Sequence, residues 1–154
     1  FNIPGLQISN IFICNEDIRR LFIAELRRTG YSQPNVLGLI ACRAAYEKGA
    51  SWLDELILYL SGNLALLRDF IKSELPNIHL VEPEGTYLAW LDFRKSGLSD
   101  QELEQLLVNK GRIWLSSGPT FGAGGRGFQR FNIACPRTVL EQGLNRLKEA
   151  LGSI

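Results

Sequence analysis

Arg130 and Asn132 stand two residues apart in the run Phe128 to Cys135, F-Q-R-F-N-I-A-C, and this is where the chain could do chemistry. In a strand, successive side chains point to opposite faces. Phe128, Arg130, Asn132 and Ala134 would then share one face, and Gln129, Phe131, Ile133 and Cys135 the other. The second face is mostly apolar and suits packing under helices. The first sets a planar cation and an amide beside an aromatic ring, a floor on which a carboxylate could be gripped by two parallel hydrogen bonds. From spacing alone, a structural ion pair at Arg130 is the simpler reading.

Five glycines, Gly118, Gly122, Gly124, Gly125 and Gly127, precede that strand. Gly122, Gly124 and Gly127 satisfy G-x-G-x-x-G, but a dinucleotide fingerprint follows a strand and opens a helix. Here the glycines run into a strand and then Pro136, so the nucleotide reading fails on context. A flexible loop whose backbone can approach a ligand or another chain fits better. The other candidates carry less. His79 is the single histidine, beside a strand start, and suits a surface or structural role. The pairs Glu82/Glu84 and Glu102/Glu104 fall in turns or on exposed helix faces. Lys48, Lys72, Lys95, Lys110 and Lys148 lie near helix ends or on polar faces, whereas a Schiff-base lysine needs a sheltered site that lowers its pKa. Cys14, Cys42 and Cys135 lack metal-ligand spacing and read as buried thiols of a cytoplasmic protein.

These residues are positioned by an ordinary globular chain. Hydrophobic residues make up 45% and charged residues 21%, with a net charge of +1, which gives no electrostatic case for nucleic acid or an anionic membrane. No run approaches the ~20 apolar residues of a membrane helix. No metal site is expected. The chain starts at Phe1 and contains no methionine, so it reads as a piece of a longer protein.

Residues 7–14 read as a buried strand. Asn15, Glu16 and Asp17 open a helix closed by Gly30, with Ile18, Leu21, Phe22 and Leu26 inward. Pro34 starts a second helix with Val36, Leu37, Ile40 and Ala44 inward, ending at Gly49. Ser51 and Asp54 open the longest helix, whose stripe runs Leu53, Leu56, Ile57, Leu60, Leu64, Leu67, Ile71, Leu75 up to Pro76. The period then changes to alternating: strands at 79–81 and 86–93, a helix capped by Ser99 and Glu102 and closed by Gly111, a short strand at 112–115, the strand after the glycines, and a final helix capped by Thr138 and Glu141. The layout is α+β, with helices packed on one face of a small, mostly antiparallel sheet.

Four stretches together resemble the C-terminal part of fold type I pyridoxal-phosphate enzymes of the class I/II aminotransferase family, nearest to the cystathionine β-lyase-like C–S lyases. They are F-N-I-P-G-L-Q at 1–7, Y-S-Q-P-N at 31–35, V-E-P-E-G-T-Y-L-A-W-L-D-F at 81–93 and W-L-S-S-G-P-T-F-G-A-G-G-R-G-F-Q-R-F-N-I-A-C-P-R at 114–137. The resemblance implies a single segment, residues 1–154, that is the small C-terminal domain of a larger enzyme. The cofactor lysine would lie two residues before Phe1, and the pyridoxal-phosphate domain would be the missing partner. It implies that Arg130, in the family's Arg-x-Asn-x-Ala pattern, binds the substrate carboxylate, and that Thr86 and Tyr87 lie on a strand approaching the substrate. Core packing of Tyr87 is the other reading.

Many aminotransferases place a phosphate-binding arginine where this chain has Gln7, so the cofactor-binding residues stay unassigned. The implied parent is a cytoplasmic homodimer that cleaves the Cβ–S bond of cystathionine or cysteine conjugates to thiol, pyruvate and ammonia. The 154 residues alone are then inactive. An aminotransferase of the same family is the alternative. From another class, the same arginine would serve a non-enzymatic domain that binds a carboxylate or a protein.

Overall fold

The computed structural model describes residues 1–31 and 33–152; Ser32 of the Tyr31–Asn35 motif, Ser153 and Ile154 lie outside them. The chain divides into two compact units, Phe1–Leu56 and Ile57–Ile154.

The first unit is helical. After a 3₁₀ turn at Pro4–Leu6, helix α1 spans Glu16–Arg28 and α2 spans Val36–Lys48. Asn15 caps α1 as its spacing predicts, its side-chain oxygen accepting from the backbone N–H groups of Asp17 and Ile18. Asn35 caps α2 in the same way, accepting from Leu37. Four expectations need correction, the first being the start of α2, which begins at Val36 behind its Asn35 cap and not at Pro34. Residues 7–14 form no strand: Ile11 and Phe12 are 61% and 90% exposed, and no described strand pairs with them. Apolar composition supplies a face, but a strand also needs a neighbour for its backbone groups. The faces assigned inward on α1 and α2 are exposed as well, including Ile18, Leu21, Leu37 and Ile40. Helix α3 (Ala50–Glu74) begins directly after the Gly49 cap of α2, which puts Ser51 inside its first turn rather than at its N-cap.

The second unit carries the sheet. Strands β1 (His79–Val81), β2 (Leu88–Asp92), β3 (Ser116–Ser117) and β4 (Phe128–Asn132) are antiparallel in the order β1-β2-β4-β3. The strand expected at 86–93 is shorter because Thr86 has φ +66°, which breaks the extended conformation. The strand expected at 112–115 starts later because Arg112 has φ +50°, and pairing begins only at Ser116. Helix α4 (Asp100–Gln105) carries the expected capping box and runs into a π-helical turn, Leu106–Lys110, closed by Gly111.

Helix α5 (Arg137–Leu151) starts one residue before its expected cap, so Thr138 lies within it. The side-chain cap comes instead from another helix: the Arg137 N–H donates to the Tyr59 hydroxyl at 2.8 Å. Leu67 and Ile71 of α3, Leu103 of α4, Leu107 of the π turn and Leu140, Leu144 and Leu147 of α5 form one buried cluster with Ala89, Leu91, Phe131 and Ile133 of the sheet region. Helices thus cover one face of the sheet, as the alternation in β4 predicts. The opposite face, bearing Arg130, is left for chemistry.

The cysteines differ from expectation. Cys14 is exposed, and Cys42 and Cys135 are half-buried. Burial pushes the Cys135 thiol up. Cys14 belongs to the same 7–14 run, which pairs with no described strand.

Asn63 is the polar group that fastens α3 to the end of β4. It is 0% exposed, donates to the carbonyls of Ile133 (2.9 Å) and Cys135 (3.0 Å), and accepts from Arg137 Nε (3.2 Å). Asn63→Ala strips two carbonyls of their donors, and an unsatisfied buried group costs about 1–3 kcal/mol. The expected loss is about 2 kcal/mol, read as a lower urea midpoint. An unchanged midpoint would mean those carbonyls find other partners.

Candidate functional site

The outer face of the sheet is built by register. Arg130 on β4 pairs with Trp90 of β2 on one side and Ser116 of β3 on the other, while Phe128 pairs with Asp92. Same-face neighbours on paired strands lie close enough for side chains to touch. The Phe128 ring stacks on Trp90, with centroids 5.4 Å apart and planes at 12°. Trp90 in turn meets Phe121 edge-on at 5.5 Å. Cations close both ends of this row of rings. Arg94 lies 4.8 Å from the Phe128 centroid and Arg130 lies 4.8 Å from that of Phe121. Arg94 is held by Asp92 through Nε (2.9 Å) and Nη2 (2.7 Å), and these hydrogen bonds keep the Asp92 carboxyl below the usual carboxylate range.

Arg130 is half-buried, and its Nη2 donates to Ser116 Oγ at 3.1 Å. The structural ion pair that spacing alone allows does not form: among the described residues, no carboxylate lies within salt-bridge distance of Arg130. A guanidinium has five N–H donors in a planar fork, and one N–H on a neutral hydroxyl leaves its charge open to a ligand. The guanidinium opens on a pocket of about 380 Å³ lined by Glu104, Trp114, Leu115, Ser116, Ser117, Thr120, Phe121 and Arg130.

The glycine-rich segment is folded rather than loose. It makes two 3₁₀ turns, Gly118–Phe121 and Ala123–Gly125, joined at Gly122 with φ +108°. Its close backbone approach is to itself. A Cβ built on Gly118 would lie 2.0 Å from the Gly125 carbonyl oxygen, and one on Gly125 would lie 2.0 Å from that of Gly118. Phe121 lies between the two clasped glycines, with Arg130 over its ring.

Thr86 and Tyr87 precede β2 and do not line this pocket. The half-buried Tyr87 ring packs against the hydrophobic core. Thr86, a β-branched residue in the left-handed region, accepts from Leu88 N through Oγ1 at 3.2 Å. Asn132 is exposed and accepts from Ala134 N at 2.8 Å, so it supports the strand end. Ser116 and Phe121 escape the sequence reading, and Glu104, set aside there as a solvated carboxylate, is exposed and lines the pocket. Ser116 was reachable in principle, since antiparallel pairing of the short strand before the glycines with the strand after them puts it beside Arg130.

Lys48, Lys72, Lys95, Lys110 and Lys148 are all exposed, and Lys148 pairs with Glu74 at 2.5 Å. Gln7 is exposed with left-handed backbone. The described residues therefore fit a carboxylate grip and do not fit the sheltered lysine that would anchor an aldehyde cofactor. Nor do they contain a group of His, Cys, Asp and Glu arranged to hold a metal, or a helix long and apolar enough to cross a membrane.

The family model of aminotransferase class I and II matches residues 1–147. The chain belongs to this family. Among class I and II aminotransferase relatives, cystathionine beta-lyase PatB of Bacillus subtilis (strain 168) is 44% identical over 151 residues, covering 98% of this chain and 39% of that protein. Protein MalY of Escherichia coli (strain K12) is 39% identical, covering 100% of this chain and 40% of that protein. Cystalysin of Treponema denticola, whose crystal structure contains pyridoxal 5'-phosphate, superposes with a TM-score of 0.94 at 37% identity over 99% of this chain and 39% of that one. The chain thus spans about 39–40% of the length of these two curated relatives. The α+β architecture expected from the sequence is the one this family shares.

Proposed function

We propose that the enzyme carrying this chain is a pyridoxal-phosphate-dependent C–S β-lyase. It would cleave the Cβ–S bond of cystathionine or related cysteine conjugates, with water, to a thiol, pyruvate and ammonia. The observation that carries the reading is Arg130: a half-buried guanidinium with no carboxylate partner among the described residues, opening on a pocket large enough for an amino acid. Similarity to a cystathionine beta-lyase along 98% of the chain favours the lyase over the transaminase.

Pyridoxal phosphate, when bound, supplies the electron sink for this chemistry, and the protein supplies orientation. The part assigned to this chain is to hold the α-carboxylate on the Arg130 fork, so that the Cα substituents are presented in one orientation. Thr86 would approach the substrate from the segment ahead of β2, with Tyr87 tying that segment to the core. The strained backbone of Thr86 supports a role there. The same reading makes this chain the C-terminal segment of a cytoplasmic homodimer. The remaining residues would then supply the cofactor lysine and the phosphate contacts.

The test is a product assay on the full-length enzyme with cystathionine and no keto-acid acceptor. Equal yields of pyruvate and free thiol are expected. Turnover that appears only when a keto acid is added would make the enzyme a transaminase, and absence of both activities would favour a binding domain.

A further inference from the structure

We infer that Phe121 is a positioning residue for Arg130, and that the glycine-clasped turn exists to hold it there. This inference rests on the carboxylate reading of Arg130. Directing a guanidinium fork requires two constraints: its plane must be fixed, and so must its rotation within that plane. The structure supplies one of each. Arg130 Cζ sits over the Phe121 ring, 4.8 Å from its centroid, so the ring walls one side of the guanidinium and limits how far its plane can tip. The in-plane hydrogen bond from Nη2 to Ser116 Oγ, 3.1 Å long, sets its rotation. One of the five N–H donors is spent on Ser116, which leaves a two-donor edge for a carboxylate.

Phe121 is in turn supported from behind. Trp90 meets it edge-on at 83°, Phe128 stacks on Trp90, and Arg94, pinned by Asp92, closes the row. A long, flexible arginine is thereby converted into a directed fork with no carboxylate within salt-bridge distance among the described residues, where one would compete with the substrate's own carboxylate. Fixing the fork before the ligand arrives removes ordering cost from binding.

The experiment compares Phe121→Leu, Phe121→Tyr, Arg130→Lys and the double variant Phe121→Leu/Arg130→Lys in the full-length enzyme. Two readouts are used: steady-state kinetics on cystathionine, and the dissociation constant of L-alanine by intrinsic tryptophan fluorescence. L-alanine has the carboxylate but no leaving group, and Trp114 lines the pocket. Phe121→Leu should weaken L-alanine binding and raise KM roughly 3- to 30-fold, the range of a partly desolvated cation–π contact. Phe121→Tyr keeps the ring face and should stay within about 2-fold of wild type.

In the Arg130→Lys background, where the planar fork is gone, Phe121→Leu should add less than about 1.5-fold. Full additivity in the double variant, or a tyrosine as poor as leucine, would overturn the inference and leave Arg130 standing. Unchanged L-alanine binding and KM in Arg130→Lys would overturn the carboxylate reading, and this inference with it.

Discussion

Arg130→Ala in the full-length enzyme should lower kcat/KM for cystathionine by about 10²- to 10³-fold while hardly changing stability. The loss follows from removing a charged partner that makes two hydrogen bonds to the substrate, which costs about 2–5 kcal/mol in comparable charged contacts, and each 1.36 kcal/mol is about tenfold. Most of it should fall on KM where substrate binding is at equilibrium. Arg130→Lys keeps the charge but not the fork, and should fall between, about 10- to 100-fold down.

The stability side separates this role from a structural one. Had Arg130 been locked to an internal carboxylate, truncation would strand a charge and cost about 3–5 kcal/mol. Among the described residues it touches a hydroxyl and a ring face instead. Ser116 can turn to water, so the expected destabilisation is about 1 kcal/mol or less. Steady-state kinetics and a urea melt on the same preparation check both halves. A variant with wild-type kinetics, or one that is active per folded molecule but strongly destabilised, would return Arg130 to the structural reading.

What the sequence made legible tracks how local the governing physics is. The two faces of β4 follow from alternation alone: of the predicted inward set, Gln129, Phe131 and Ile133 are buried and Cys135, past the strand end, is half-buried. Asn15 and the Ser99/Glu102 box cap their helices as expected because capping is decided within four residues, whereas α2 starts at Val36 behind an Asn35 cap rather than at Pro34. Periodicity finds the apolar face of α1 and α2 but not what covers it, and Ile18 and Leu37 are exposed. The 7–14 run fails as a strand for the same reason.

At the site, Arg130 is legible as a candidate because its chemistry is its own. Ser116 reaches it by antiparallel pairing of the two strands, but Phe121 reaches it only through the path of the intervening turn, which depends on contacts between backbone atoms that composition does not reveal. The glycines signalled that something approaches closely. The approaching group is the turn's own backbone, rather than a ligand or another chain, a contact set by the fold of the turn and not by its composition.

Gly118→Ala and Gly125→Ala should each destabilise the protein by about 3 kcal/mol or more, whereas Gly124→Ala, in the same turn, should change stability by no more than about 0.5 kcal/mol. The contrast is geometric. A Cβ on Gly118 would stand 2.0 Å from the Gly125 oxygen and 2.6 Å from the Phe128 oxygen, and one on Gly125 would stand 2.0 Å from the Gly118 oxygen. These are backbone atoms on both sides, so no rotamer change relieves them. At Gly124 no atom lies within 4 Å of a built Cβ.

The turn can accept the methyl at Gly118 or Gly125 only by opening. Opening carries Phe121 away from Arg130, so the two destabilised variants should also weaken L-alanine binding in the fraction that remains folded. Urea melts at unchanged m-value and tryptophan fluorescence titrations measure the two effects together. If Gly118→Ala melts with Gly124→Ala, the clasp is not what shapes this turn. If it melts early yet binds L-alanine normally, the turn is structural and the fork is directed by Ser116 alone.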